Sequence, residues 1–402
     1  MALTGQKINM KLIRKASVWR QVIYFCIPIL IISFLFTNLS SSAIEITGID
    51  FIGETTFPSS TTFQNTPFGG LSGITYDEEK QLYYAISDDR SEKAPARFYS
   101  LKIDLSKGKL RDGGVVPVGV KLLLNEKNQN FARGTVDTEG IALSKGESVF
   151  ISSEGDASQL INPFVKEFSL VSGKEISNLP IPDKFLPTSD GKKGVRNNLA
   201  LENLTITPDK QYLFTASENA LIQDGTEAKS GVPTSCRILR YNLETRQPDK
   251  EYLYKTEAVK PLINLTGKYA QGLPDLHAID NQGHFISIER AFTGLGFGIS
   301  LFQVSLEGAT DISNINSLLD TNIKDIKPVQ KKLLLDLRKL DVLLDNIEGL
   351  TLGSKLGDGQ PSLILVSDNN FQSIQRTQFL AFKLKTESSL QRLLRRLNLK
   401  SN

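Results

Sequence analysis

Five times along this chain a short glycine-and-acid motif opens a β-rich run, and 14 to 20 residues later a second such run ends on another acid. The pairs are Gly70-Leu71-Ser72-Gly73-Ile74 with Ser87-Asp88-Asp89, Thr138-Glu139-Gly140-Ile141 with Ser153-Glu154, Leu201-Glu202-Asn203-Leu204 with Ser217-Glu218, Leu273-Pro274-Asp275-Leu276 with Ile288-Glu289-Arg290, and Ile347-Glu348-Gly349-Leu350 with Ser367-Asp368. Taking Ser72, Glu139, Glu202, Asp275 and Glu348 as equivalent, the intervals are 67, 63, 73 and 73 residues. In an antiparallel hairpin the start of the first strand and the end of the second lie side by side. Both acids of each repeat then meet at one sheet end, and repeats set around an axis gather roughly ten carboxylates at one mouth of a channel.

Each repeat reads as four strands separated by turn chemistry such as Ser106-Lys107-Gly108-Lys109 and Asp112-Gly113-Gly114. The last repeat supplies only three. The alternating run Ile44-Glu45-Ile46-Thr47-Gly48-Ile49-Asp50-Phe51-Ile52 has no partner of its own and can complete it. Such closure hides two sheet edges that would otherwise invite aggregation. The expected fold is therefore all-β, a five-bladed propeller closed by an N-terminal strand in the last blade, with six blades as the alternative. Long connections at 183–198, 223–235 and 311–329, the last read as partly helical, exceed what compact blades need and are expected to shape a binding mouth.

Residues 1–43 are expected to lie outside the propeller, which takes 44–385. They hold Lys7, Lys11, Arg14, Lys15 and Arg20, an apolar run from Val22 to Phe36, and then Ser41-Ser42-Ala43. This is the pattern of a signal peptide, or of an uncleaved signal anchor, and it predicts a secreted or periplasmic body. The formal charge of +3 arises there, since the remainder carries 42 basic against 44 acidic groups. No global field for nucleic acid is left. Residues 386–402 form a basic tail with leucines at helical spacing, read as a surface helix or an attachment to an anionic membrane. Cys26 falls in the apolar run, so Cys236 has no disulfide partner in the body. The chain is expected to be a monomer.

The acids expected to bind metal at the mouth are Asp88, Asp137, Glu139, Glu154, Glu202, Glu218, Glu289, Glu348 and Asp368, with Asp89 and Asp275 beside them. Hard oxygen donors, two histidines and no paired cysteines suit Ca²⁺, with Mg²⁺ as the alternative, over zinc. Arg90, Arg133, Arg196 and Arg290 flank these acids in sequence, as expected where a phosphorylated ligand sits between metal and guanidinium. His277 is placed near the same mouth as an acid or ligand. A serine triad would need His277 or His284 as base, and no nucleophile elbow, P-loop or dinucleotide fingerprint is evident.

The phrases at 70–77, 84–90, 137–142, 202–209, 288–292, 346–351 and 367–371 resemble, as a set, the phytase-like family described as "esterase-like activity of phytase". The resemblance spans about residues 47–384. It implies an exported propeller suspected of phosphoester hydrolysis, with Glu139, Glu202, Glu289, Glu348 and Asp368 as the recurrent acids. Two departures stand out: Asn203 where a glycine follows the motif glutamate, and Asp275-Leu276-His277 in place of Glu-Gly. The leading expectation is a calcium-dependent phosphoester hydrolase with Glu139, Glu202 and Glu348 at its catalytic centre, acting on a phosphorylated small molecule or phosphodiester. The competing expectation is a non-catalytic, calcium-stabilised propeller that binds a ligand or envelope partner.

Overall fold

Strand after strand pairs with its sequence neighbour, and the computed structural model, which describes residues 45–259, 269–292, 294 and 296–387, resolves them into five four-stranded antiparallel sheets. Blade 1 comprises Leu71–Asp77, Leu82–Ser87, Arg97–Ile103 and Val115–Leu122; blade 2 comprises Thr138–Leu143, Ser148–Ser153, Phe164–Ser169 and Glu175–Leu179. Blade 3 is Thr205–Ile206, Tyr212–Ala216, Ser235–Asn242 and Gln247–Lys255, and blade 4 is Ala270–Ala278, His284–Phe292, Phe297–Ser305 and Gln330–Asp336. Blade 5 takes Ile347–Lys355, Pro361–Ser367 and Arg376–Glu387, and its fourth strand is the N-terminal Glu45–Pro58. The innermost strands touch their neighbours all the way round, blade 5 against blade 1 included. The fold is a five-bladed β-propeller.

Closure at the last blade is held by side chains as well as by strand pairing. Phe51 lies 5.4 Å from Phe382, Phe57 6.1 Å from Phe379, and Lys385 Nζ bonds Asp50 Oδ1 at 2.8 Å. Between blades the alternation of strand residues buries both sheet faces. Phe150, Val165 and Leu179 of blade 2 pack with Leu213 and Leu239 of blade 3, and Phe214 of blade 3 meets Phe285 of blade 4 edge-on at 4.9 Å. An aromatic pair of this kind adds about 1 kcal/mol beyond its buried area.

The 311–329 connection departs from expectation. Its helical content is a single 3-10 turn, Ile323–Asp325, because Ile312, Leu318 and Ile326 are drawn down onto Leu253 and hold the loop open. No α-helix occurs among the described residues, and none of their helices is long and apolar enough to cross a membrane. Cys236 is buried and free. Of the two units into which the chain divides, Ile46–Thr386 is the propeller; Met1–Glu45 with Glu387–Asn402 is the other. The expected signal segment, and the tail beyond Glu387, lie outside the described residues.

Candidate functional site: the acidic mouth

Strand register decides which side chains reach the channel. In blade 1 Leu71 faces Ser87 and Gly73 faces Ile86; in blade 5 Ile347 faces Ser367 and Gly349 faces Val366. Blade 2 jumps from Thr138 opposite Ser153 to Ile141 opposite Ile151, and blade 3 bridges Leu201 to Ser217. The residue skipped after each first pair, Ser72, Glu139, Glu202 and Glu348, sits in a bulge, which leaves a residue unpaired and re-aims its side chain. The second acids, Asp88, Glu154, Glu218 and Asp368, follow the serine that ends the return strand. Their N–H groups donate to Gly70 O, Asp137 O, Ala200 O and Asn346 O at 2.6 to 3.0 Å.

The glycine after the motif acid exists for the neighbouring blade. A Cβ on Gly73 would lie 2.5 Å from the carbonyl oxygen of Glu139, and one on Gly140 would lie 2.7 Å from the backbone nitrogen of Leu204. Where the glycine is missing, a polar side chain spans the seam. Asn203 Nδ2 donates to Leu273 O at 3.3 Å, and Asp275 Oδ2 accepts from Leu350 N at 2.6 Å.

Blade 4 overturns the expected alignment by one position. Gly272 faces Arg290 and Asp275 faces Ile288, so Pro274 occupies the first-acid position, Asp275 the glycine position, Glu289 the serine position and Arg290 the second-acid position. Glu289 therefore turns into the seam between blades 3 and 4. There it accepts from Tyr254 Oη at 2.8 Å, Lys331 Nζ at 2.5 Å and Glu257 N at 2.7 Å. Asp89, adjacent to Asp88, likewise points the other way and pairs with the fully buried Arg97. The mouth holds seven motif carboxylates and one guanidinium in place of ten carboxylates.

These seven converge. Glu139, Glu154, Glu202, Glu218, Glu348 and Asp368 are all buried and Asp88 half-buried, with Asp137 buried at the entry to blade 2. Loss of water pushes Glu139 and Glu202 well up, and charge adds to it: Asp88, Glu202, Asp137 and Glu154 act on Glu139, and Glu154, Glu218 and Glu348 on Glu202. Burial also raises Asp88, helped by Asp137 and Asp368, and Asp368, helped by Glu348. Glu154 is pushed up to about 8 by burial and by Asp137. Glu218 and Glu348 are raised by burial against the opposing pull of Arg290.

Two of the four expected arginines join the acids. Arg290 donates to Glu218 Oε1 at 2.7 Å, to Asn346 Oδ1 at 2.9 Å and to Glu348. Arg90, in the left-handed region at φ 45°, donates to Asp137 Oδ1 at 2.7 Å and Asn198 Oδ1 at 2.6 Å. Arg196 instead spends its guanidinium on Ala220 O and Gly225 O, and Arg133 is 74% exposed with Glu92 3.8 Å away. Nearness to an acid in sequence did not bring these two to the mouth, since a side chain follows its loop. His277 also lies elsewhere: three positions past Pro274 along its strand, it lines the opposite end of the channel. Asn198 and Asn346, which orient the two arginines, went unrecognised; the only signal was the place of Asn346 just before Ile347-Glu348.

Can the mouth hold a divalent cation? One oxygen each from Asp88, Asp137 and Glu139 lies within 4.8 Å of the others. Glu218 Oε2 is buried with no hydrogen-bond partner. Every donor is a hard oxygen, and among the described residues Asp88 and Glu139 have no basic side chain in ion-pair contact, while Asp137 is paired with Arg90 and Glu218 and Glu348 with Arg290. The donor set fits Ca²⁺ or Mg²⁺.

The family described as phytase-like, esterase-like activity of phytase, matches residues 66–371. No curated protein matches the chain. Solved structures similar to it include an endo-arabinase from Bacteroides thetaiotaomicron (10% identity, 83% of this chain and 98% of that one, TM-score 0.40), the GH43 protein BlXynB from Bacillus licheniformis (12%, 81% and 54%, 0.41) and hydrazine synthase from Kuenenia stuttgartiensis (10%, 77% and 81%, 0.35). At such identities chemistry does not transfer with a fold.

Proposed function

We propose that this chain, which belongs to the phytase-like family, is an exported hydrolase of phosphate esters that works at the acidic mouth with a divalent cation, calcium first and magnesium second. The observation that carries the reading is the convergence of eight carboxylates, seven of them buried, with two guanidiniums, Arg290 paired with Glu218 and Glu348 and Arg90 with Asp137. Charge of that density is stabilised by a cation, and the trio Asp88, Asp137 and Glu139 is the best candidate to hold one. Calcium there would polarise a phosphoryl oxygen and acidify a water.

The chain's own groups supply the rest. Arg290 beside Glu218 and Glu348, and Arg90 beside Asp137, would set two positive charges where phosphoryl oxygens carry negative charge. Glu154, whose proton burial and Asp137 hold up to about 8 before a cation enters, lies outside the trio and is suited to pass a proton to the leaving oxygen if it retains one when the cation is bound. Glu202 and Glu348 keep that environment crowded and dry. The substrate is a phosphorylated small molecule or phosphodiester and the working unit a monomer, with export resting on the basic and apolar pattern of residues 1–43.

A second reading draws support from the same arginines. Both are already engaged, Arg290 by Glu218, Asn346 and Glu348, which favours a calcium-pinned propeller that binds without turnover. A panel of phosphomonoesters, phosphodiesters and carboxyl esters assayed in calcium and in EDTA separates the two. Turnover of a phosphate ester that is lost on chelation, and cut about 100-fold or more by Glu139→Gln or Glu348→Gln, supports the hydrolase. A calcium-raised melting temperature with no turnover of any ester refutes it in favour of the second reading.

A further inference from the structure

The opposite end of the channel opens into a cavity of 750 Å³, lined by all five innermost strands or the turns after them. Three positions beyond the acid ring, about 10 Å along each strand, the equivalent residues are Thr75, Ala142, Thr205, His277 and Thr351. Three of these accept from the next blade. Leu143 N donates to Thr75 Oγ1 at 3.3 Å, Ala278 N to Thr205 Oγ1 at 2.9 Å and Leu352 N to His277 Nε2 at 3.4 Å. A hydroxyl that has accepted still has its O–H to give, and an imidazole that accepts at Nε2 carries its proton on Nδ1. The cavity floor is therefore rich in donors.

Three lysines line the cavity, Lys80, Lys210 and Lys355, and of these Lys210 lacks a carboxylate in ion-pair contact among the described residues. Lys210 holds φ +60°, a conformation open to glycine without steric cost, and the matching turn residues of blades 2, 4 and 5 are Gly146, Gly283 and Gly359. From there its ammonium bonds Leu143 O at 2.7 Å, and no carboxylate among the described residues lies within ion-pair distance of it. Of the four acids at the lip, Glu147 pairs with Lys80 and Glu78 with Lys355, Asp77 accepts the N–H groups of Glu79 and Lys80 at Oδ1 while its charge still acts on Lys210, and Glu79 stands exposed at the outer edge. Burial lowers the Lys210 ammonium from its ordinary range, against the opposing pull of the Asp77 charge. Leu143, Ile206 and Leu352 add an apolar wall.

We propose that this far cavity binds an organic anion, its carboxylate or phosphate taken by Lys210 with the Thr75, Thr205 and His277 donors and its apolar body laid on Leu143, Ile206 and Leu352. The site is independent of the acidic mouth.

Isothermal titration of the full-length chain with hexanoate, hexyl phosphate and hexylammonium tests it, the protein being stripped of metal on a chelating resin beforehand so that no metal at the acidic mouth recruits the anion and no free chelator competes with it. At least one anion binds, hexylammonium binds at least about tenfold more weakly, and the stronger anion identifies the head group. Lys210→Gly weakens that anion by about tenfold or more while the melting temperature holds or rises, because glycine suits the turn. Thr75→Val weakens it less, and Glu348→Gln leaves it unchanged. The proposal is overturned if neither anion binds with a Kd below about 10 mM, if hexylammonium binds as well, if Lys210→Gly leaves binding intact, or if Glu348→Gln abolishes it.

Discussion

At the mouth where the innermost strands begin, acceptors crowd together: the seven motif carboxylates have one guanidinium among them, and Glu218 Oε2 has no hydrogen-bond partner among the described residues. About 10 Å further along the same strands, Thr75, Thr205 and His277 have spent acceptors on neighbouring backbone, and no carboxylate among the described residues lies within ion-pair distance of Lys210. One repeat thus builds two ends of opposite hydrogen-bond balance. The contrast teaches that a propeller channel is best read ring by ring, by counting which donors and acceptors each ring has left over, because the strands themselves are nearly the same.

The sharpest way to break this comparison is to remove cations and change pH. Carboxyls raised in the folded state add stability that is complete below their unfolded values near 4 and is lost as pH rises through the folded ones, which for Glu154 means toward 8. The melting temperature in EDTA should therefore fall between pH 5 and 8, and the gain on adding calcium should grow over the same interval. At a thousandfold excess over Kd that gain is about 4 kcal/mol, or roughly 8 °C. A calcium effect independent of pH would break the link between crowded acids and cation demand.

Arg290→Met comes next. It leaves Glu218 and Glu348 buried without their partner, at a cost of about 3 to 5 kcal/mol in EDTA, and calcium should recover more of the loss than it gives the wild type. Denaturant unfolding in both conditions checks this, and an equal loss with and without calcium would speak against a shared electrostatic role. Gly140→Ala should cost about 1 to 3 kcal/mol by driving a Cβ against Leu204, irrespective of metal.

The smallest effect belongs to the far end. Partial burial and nearby Lys210 lower His277 to about 4, so the stability its neutral form contributes is present above 6.5 and is lost as pH falls toward 4. His277→Thr restores the residue that blades 1, 3 and 5 carry there and should flatten the acid limb of the stability profile while changing the melting temperature at pH 7 by about 2 °C or less.

Much of this was legible in sequence because repeats and period-2 patterning are local signals. The five blades, the closing strand and all seven motif acids at the mouth follow from spacing alone. Blade 4 was misread because a bulge inserts an unpaired residue, and a slip of one position sends every side chain to the other face. Hence Asp275 and Glu289 were assigned the places that Pro274 and Arg290 hold. Arg133 and Arg196 were placed by sequence proximity, whereas loop paths fixed their direction. His277 was assigned to the wrong end because it follows the motif closely in sequence while its strand runs away from the mouth. The asparagines that orient Arg90 and Arg290 carry no periodic signal.

Calcium titration by calorimetry at pH 7, in two buffers of different ionisation enthalpy, probes the acidic mouth most directly. Carboxyls held protonated by burial and mutual repulsion must release protons as the cation enters, so the observed heat should differ between buffers, and Glu139→Gln should weaken binding by about tenfold or more. Binding with the same heat in both buffers and undiminished by Glu139→Gln, or no binding at millimolar calcium, would contradict a cation site built from these acids.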